Sequence, residues 1–214
     1  MNIIYGLFVQ FPLLLFSITV HEFAHGYVAD KRGDSTARIL GRLTLNPLAH
    51  VDFFGTIILP VIAIVTGAPV FGWAKPVPVN PYELFNPKKD MAYVGLAGPV
   101  ANLLLAILSG LALRIINSLQ GLNFVSPIFI FLIYINVLLP VFNLIPVPPL
   151  DGSRVVAGLL PSELSYQYEK LTPYGFIIVI FLLMSGFLNI IFRVIVEPIV
   201  SLILKYIAGS GIYV

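Results

Sequence analysis

Long apolar runs, separated by short polar stretches, organise this chain. The first covers about residues 3–28 and is apolar up to Val20, with Pro12 placed where a helix would kink. The second, residues 53–70, is shorter and is interrupted by Gly55, Pro60, Gly67 and Pro69. Residues 91–117 and 126–145 are each long enough to cross a bilayer, which takes about 20 apolar residues. The fifth run continues, with interruptions, from Tyr174 to about Ile207.

The polar intervals have patterns of their own. Between Asp30 and Asp52, residues 38–45 alternate loosely at period two, with Ile39, Leu43 and Leu45 on one side and Arg38, Arg42 and Thr44 on the other. That alternation predicts a strand, a small membrane-associated β element near residues 36–46. Residues 71–90 hold Pro76, Pro78, Pro81 and Pro87 and read as an extended loop. Pro146, Pro148 and Pro149 force a break before Asp151 and Gly152. Late in the fifth run, Asn189, Arg193, Glu197, Ser201 and Lys205 recur every four residues. This narrow stripe reads first as a helix lying along the bilayer surface, and second as the lining of a wet cavity.

Composition agrees with a membrane setting. The chain has 214 residues, 58% hydrophobic and only 10% charged, and a mean hydropathy of +0.98. Soluble domains carry about 25% charged residues, and disorder needs low hydrophobicity, so both classes are excluded. A net charge of +2 offers nothing to nucleic acid. There are no cysteines, which removes disulfides, cysteine–zinc sites and thiol nucleophiles. The first twenty residues contain no Lys or Arg and no small-residue cleavage site follows, so the first run is expected to be a retained helix rather than a signal peptide. The expected fold is an all-α polytopic membrane protein, a single domain over residues 1–214 with about five hydrophobic segments.

Chemistry enters at His21-Glu22-Phe23-Ala24-His25, an HExxH motif. Residues four apart share a helix face, so two imidazoles at this spacing can bind one zinc ion while the Glu between them acts on a water. With three histidines and five glutamates in the chain, about 0.001 chance matches are expected. Ionisable groups at the end of an apolar run are costly, and mark functional sites. A catalytic zinc needs a third protein ligand and keeps its fourth position open. Without cysteine, the candidates are Asp151, which follows an apolar span at a proline-forced turn, and His50.

The HExxH at the end of an early membrane segment, with Asn143 eight residues ahead of Asp151-Gly152 after a later one, resembles the site-2 protease family of intramembrane zinc metalloproteases. The blocks Gly98-Pro99-Val100-Ala101-Asn102 and Gly41-Arg42-Leu43-Thr44-Leu45-Asn46-Pro47 resemble its compact bacterial members, which lack PDZ and CBS modules. The extra membrane helix that some members place ahead of the HExxH segment is not expected here. The resemblance covers about residues 5–160. It implies a single Zn2+ held by His21, His25 and Asp151, with Glu22 as catalytic acid/base. It places Asn143 near bound substrate, where it would contact the peptide backbone or the oxyanion; the residue's other reading is a cap on its own helix. The implied substrates are membrane proteins or remnant signal peptides in the lipid bilayer. The strand near 38–45 would pair with the unwound substrate.

A shared metal also constrains topology. If the first run ends at the depth of the zinc, the run ending before Asp151 must end on the same side, so residues 53–70 are expected to be re-entrant. Lys31, Arg32, Arg38, Arg42, Lys75, Lys88 and Lys89 then share one face, while the loop at 118–125 carries no charge. The positive-inside rule makes the shared face cytoplasmic. The expected location is the cell membrane, multi-pass, with the active site nearer the cytoplasmic side. Two rivals remain at this stage. One is a non-hydrolytic metal-binding membrane protein (a transporter or sensor), which has no need of Glu22; the other is a membrane zinc protease of another class.

Overall fold

The computed structural model describes residues 5–59, 62, 66, 72–119 and 123–209. Among these the chain is helical, with no β-strand. A π-turn over Gly6–Gln10 leads into α1 (Phe11–Lys31). Then follow α2 (Thr36–Ile39), α3 (Pro87–Ser118), α4 (Ser126–Asn143), α5 (Asp151–Leu159), α6 (Ser162–Glu169) and α7 (Gly175–Met184). The last helix, α8 (Phe187–Ile207), mixes α- and π-turns.

Three of these, α3, α4 and α8, are long and apolar enough to cross a membrane. Only 39%, 28% and 22% of their most apolar stretches are buried, so most of that apolar surface faces outward, as lipid requires. α1 has the length but not the hydropathy, because Ser17, Thr19, His21, Glu22 and His25 lie within it. The fifth run divides at Ser185 and Gly186, where Gly186 takes a φ of 78° that side chains rarely adopt.

Helix α3 is the hub, packing on α1, α4 and α5. Pro87 occupies its first turn, where a missing N–H costs nothing, and the Asp90 carboxylate accepts from the Asn86 N–H at 2.7 Å. The main core lies between α3, α4 and α8 and contains Ala106, Leu113, Ile133, Val137, Val196, Val200, Ile203 and Leu204. The turn between α4 and α5 is tight at Gly152, where a Cβ would lie 2.2 Å from the Leu144 carbonyl oxygen. That contact fixes where Asp151 begins α5.

The β element expected near 36–46 does not form. Asp34, fully buried, accepts from the Thr36 N–H at 2.9 Å and starts a helical turn instead. The Arg42 and Leu43 N–H groups both return to the Ala37 carbonyl. Ile39, Leu40 and Leu45 are 80%, 60% and 53% exposed, so the alternation marks no buried strand face. The stripe on α8 lines no cavity within the described residues, because Asn189, Arg193, Ser201 and Lys205 face outward. Of residues 53–70, the first part forms a π-turn over Phe53–Ile58, and most of the rest lies outside the described residues.

The other Asp34 oxygen accepts from the Asn80 N–H at 2.7 Å, tying the α1–α2 corner to the extended stretch that contains Trp73. Replacing Asp34 by Ala strands two donors. Asp34→Ala should cost about 1–3 kcal/mol, read as a lowered denaturation midpoint in the fluorescence of Trp73, the sole tryptophan. An unchanged midpoint would count against this role.

Candidate metal centre

The HExxH helix places His21 and His25 one turn apart on the buried face of α1, their ring centroids 4.6 Å apart. Asp151, at the first position of α5, meets both. Its Oδ2 lies 3.0 Å from His21 Nε2 and 3.1 Å from His25 Nε2. One ligand atom from each of the three residues falls within 4.8 Å of the others, and all three residues are buried.

Helix α3 supplies the floor. Val94, Gly98 and Asn102 follow at four-residue spacing and so share a face. The Val94 carbonyl accepts from His25 Nδ1 at 2.6 Å. A Cβ on Gly98 would lie 2.5 Å from His25 Nε2 and 2.6 Å from His21 Nε2, so only glycine leaves that space open. Asn102 Oδ1 stands 2.5 Å from His21 Nδ1.

The hydrogen bonds decide where the protons are. Asn102 Nδ2 donates to the Ser17 carbonyl at 3.1 Å and to Asn136 Oδ1 at 2.6 Å. A carbonyl only accepts, so the other end of the Asn102 amide, facing His21, is its oxygen. His21 Nδ1 must therefore carry the proton and donate. His25 Nδ1 must donate to the Val94 carbonyl for the same reason. In neutral imidazoles this leaves the Nε2 lone pairs directed at a carboxylate oxygen. Three electron-pair donors then converge, an arrangement that a bound cation completes. Asn136 closes the network, donating from Nδ2 to Ser17 Oγ at 2.9 Å and to the Leu132 carbonyl.

Arg154, one turn on from Asp151, approaches its Oδ1 at 3.5 Å. Two imidazoles and one carboxylate match the protein donor set of a catalytic zinc site.

Glu22 is half-buried, and its Oε2 accepts from the Val77 N–H at 2.8 Å. Pro76 and Pro78 on either side have no N–H, so Val77 is the only donor in that short stretch. His50, the other candidate third ligand, is buried away from the cluster and bonds the Thr44 carbonyl through Nε2. Asn143 donates to the Leu139 carbonyl of its own helix at 3.0 Å.

Comparison with known proteins fits this geometry. Residues 10–122 and 115–186 match the family described as Peptidase family M50. The chain belongs to peptidase family M50. YwhC of Bacillus subtilis is 40% identical over 179 residues, covering 80% of this chain and 78% of that protein. Rip2 of Mycolicibacterium smegmatis is 34% identical, covering 82% of this chain and 66% of that protein. Both carry provisional zinc-metalloprotease names. Zinc metalloprotease MJ0392 of Methanocaldococcus jannaschii is 28% identical over 77% of this chain but only 37% of its own length. No solved structure matches.

Sequence reasoning about this M50 chain named Gly98 and Asn102 only within a family block and gave them no role, and it missed Ser17, Val94 and Asn136, which complete the network around His21 and His25. A signal for two of them was present, since Asn102 and Asn136 are amides inside apolar spans, where polar groups are expensive. Asn102→Ala should lower zinc affinity about 10–100-fold, measured by competition with a chelator of known affinity. Gly98→Ala should lower it too, with helix content in circular dichroism unchanged. Wild-type affinity in both variants would contradict the arrangement.

Proposed function

We propose that His21, His25 and Asp151 hold one zinc ion in an intramembrane zinc metalloprotease, and that Glu22 moves the proton in peptide hydrolysis. The observation that carries this reading is the convergence of three unprotonated donors around the clearance at Gly98. Zinc bound there supplies a Lewis acid and lowers the pKa of its water to about 7. The other steps fall to residues of this chain. Glu22 sits between the two histidines on α1, and the Val77 N–H holds its Oε2, leaving Oε1 to accept a proton from the attacking water. The same carboxyl then returns that proton to the leaving nitrogen. Asn143, at the end of α4 ahead of the turn to Asp151, has an amide oxygen that its Leu139 bond does not use, and its proposed role is contact with the substrate backbone.

The proposed substrates are membrane proteins or remnant signal peptides, cleaved in or near their membrane segments. A helical substrate hides its peptide groups in internal hydrogen bonds, so it must unwind locally before Glu22 and the metal can reach a bond.

The proposed topology is multi-pass in the cell membrane, with the site nearer the cytoplasmic face. Three contacts support the re-entrant reading of residues 53–70. The Trp73 N–H donates to the Gly55 carbonyl at 3.2 Å, the Thr56 hydroxyl to the Trp73 carbonyl at 2.9 Å, and the Lys75 N–H to the His50 carbonyl at 2.9 Å. The chain thus leaves and returns at one place. Arg32 reaches from the end of α1 to Asp90 and the Tyr93 ring at the start of α3, so these ends share a side. Arg38 pairs with Asp30 there, and Arg42 bonds the Lys75 and Pro76 carbonyls. Positive charge concentrated on that side makes it cytoplasmic.

The decisive variants are Glu22→Ala and Asp151→Ala, assayed for bound zinc and for cleavage of a model transmembrane substrate. Glu22→Ala should keep zinc and lose about 10²–10⁴-fold in cleavage rate. Asp151→Ala should lose both. Normal cleavage by Glu22→Ala refutes the mechanism.

A further inference from the structure

Helix α8 presents Asn189, Arg193, Glu197, Ser201 and Lys205 at strict four-residue spacing. On a regular α-helix of 3.6 residues per turn, that spacing drifts around the axis. α8 is not regular. The Glu197 N–H bonds to the Phe192 carbonyl, and the Ala208 N–H to the Ile203 carbonyl, which makes π-turns over Phe192–Val196 and Ile203–Ile207. A π-turn holds more residues, so the drift shrinks and the five polar side chains stay nearer one face. The neighbouring face, about a quarter turn round through Val196, Val200 and Leu204, is buried against α3 and α4, so the stripe flanks that contact. Asn189, Arg193, Ser201 and Lys205 are exposed, and Glu197 is half-buried.

Depth makes this stripe unusual. The Asn102–Asn136 bond sets the register of the antiparallel helices α3 and α4. Counting from it, Tyr134 lies level with Leu104, halfway along α3. Phe192 stacks on Tyr134, with ring centroids 6.4 Å apart, and Arg193 is the next residue. At the other end, Gly209 lies against Arg114, a rise of about 15 Å along α3 at 1.5 Å per residue. Arg193 and Glu197 thus sit at the middle of the spans, beyond the reach of headgroups, and lipid is a poor cover for them.

We propose that this face packs against a second copy of the chain. The stripe is its own complement. A two-fold axis along the membrane normal sets the two α8 helices parallel, with Arg193 of each copy against Glu197 of the other, in the manner of flanking charges in a parallel coiled coil. Asn189 and Ser201 each donate and accept, so each can pair with its own symmetry mate. One contact surface satisfies both signs of charge without a further protein.

The chain has no cysteine, so single cysteines are clean probes. The experiment uses membranes that contain two differently tagged copies of the full chain. Under mild oxidation, Ser201→Cys should give at least ten times more covalent dimer than Leu108→Cys, on the exposed side of α3, with both tags in the product. In the Ser201→Cys background, Arg193→Glu or Glu197→Arg should each cut that yield at least fivefold, and the Arg193→Glu/Glu197→Arg double change should restore it to within twofold. Bound zinc is measured in each variant as the check on folding, and reading both single changes prevents one misfolded protein from deciding the result. Neither readout needs proteolytic activity. The proposal is overturned if Ser201→Cys dimerises no better than Leu108→Cys, if it links to a different protein, or if the yield ignores the charge swap.

Discussion

Three electron-pair donors directed at one point inside an apolar bundle are the constraint on which this structure depends. Two imidazole nitrogens lie about 3 Å from one carboxylate oxygen, and with both rings neutral their lone pairs repel it. A cation at their centre would relieve that repulsion. Everything near the site serves to keep the donors aimed there. The N–H sides of both rings are tied down by Asn102 and the Val94 carbonyl, so the rings cannot turn their protons inward. Gly98 leaves clearance between those two contacts on the same face of α3.

That constraint also explains why α3 is the hub. It touches the two elements that bring His21, His25 and Asp151 together, α1 and α5, and through Asn102 and Asn136 it couples α4 to the same network. The amides are costly in a membrane span, and they are retained where they set a tautomer. Glu22 is held from another quarter, by a single N–H on an extended stretch whose neighbouring prolines offer none. The proposed ligands and the proposed proton carrier are thus oriented by separate parts of the chain.

Much of this was legible in the residues. HExxH at the end of an apolar run is improbable by chance, and the prolines before Asp151 announced a turn that could aim a carboxylate back. Charge placement pointed to one shared face. The strand near 38–45 was misread because eight loosely alternating residues carry little information, while the buried Asp34 starts a helical turn. His50 could not be separated from Asp151 by residue type alone, since both can bind zinc; only the fold turns His50 toward the Thr44 carbonyl. Asn102 and Asn136 went unassigned because their effect depends on a register between α3 and α4 that no local pattern encodes. The stripe on α8 was visible as a spacing, but its depth beside Tyr134 was not.

The central claim is the identity of the three ligands, and the zinc-edge X-ray absorption spectrum of the purified protein tests it most directly. The account predicts one zinc per chain, with two imidazole nitrogens and at least one carboxylate oxygen in its first shell, at about 2.0–2.2 Å. A first shell of three imidazoles, or protein that retains no stoichiometric zinc, would contradict it.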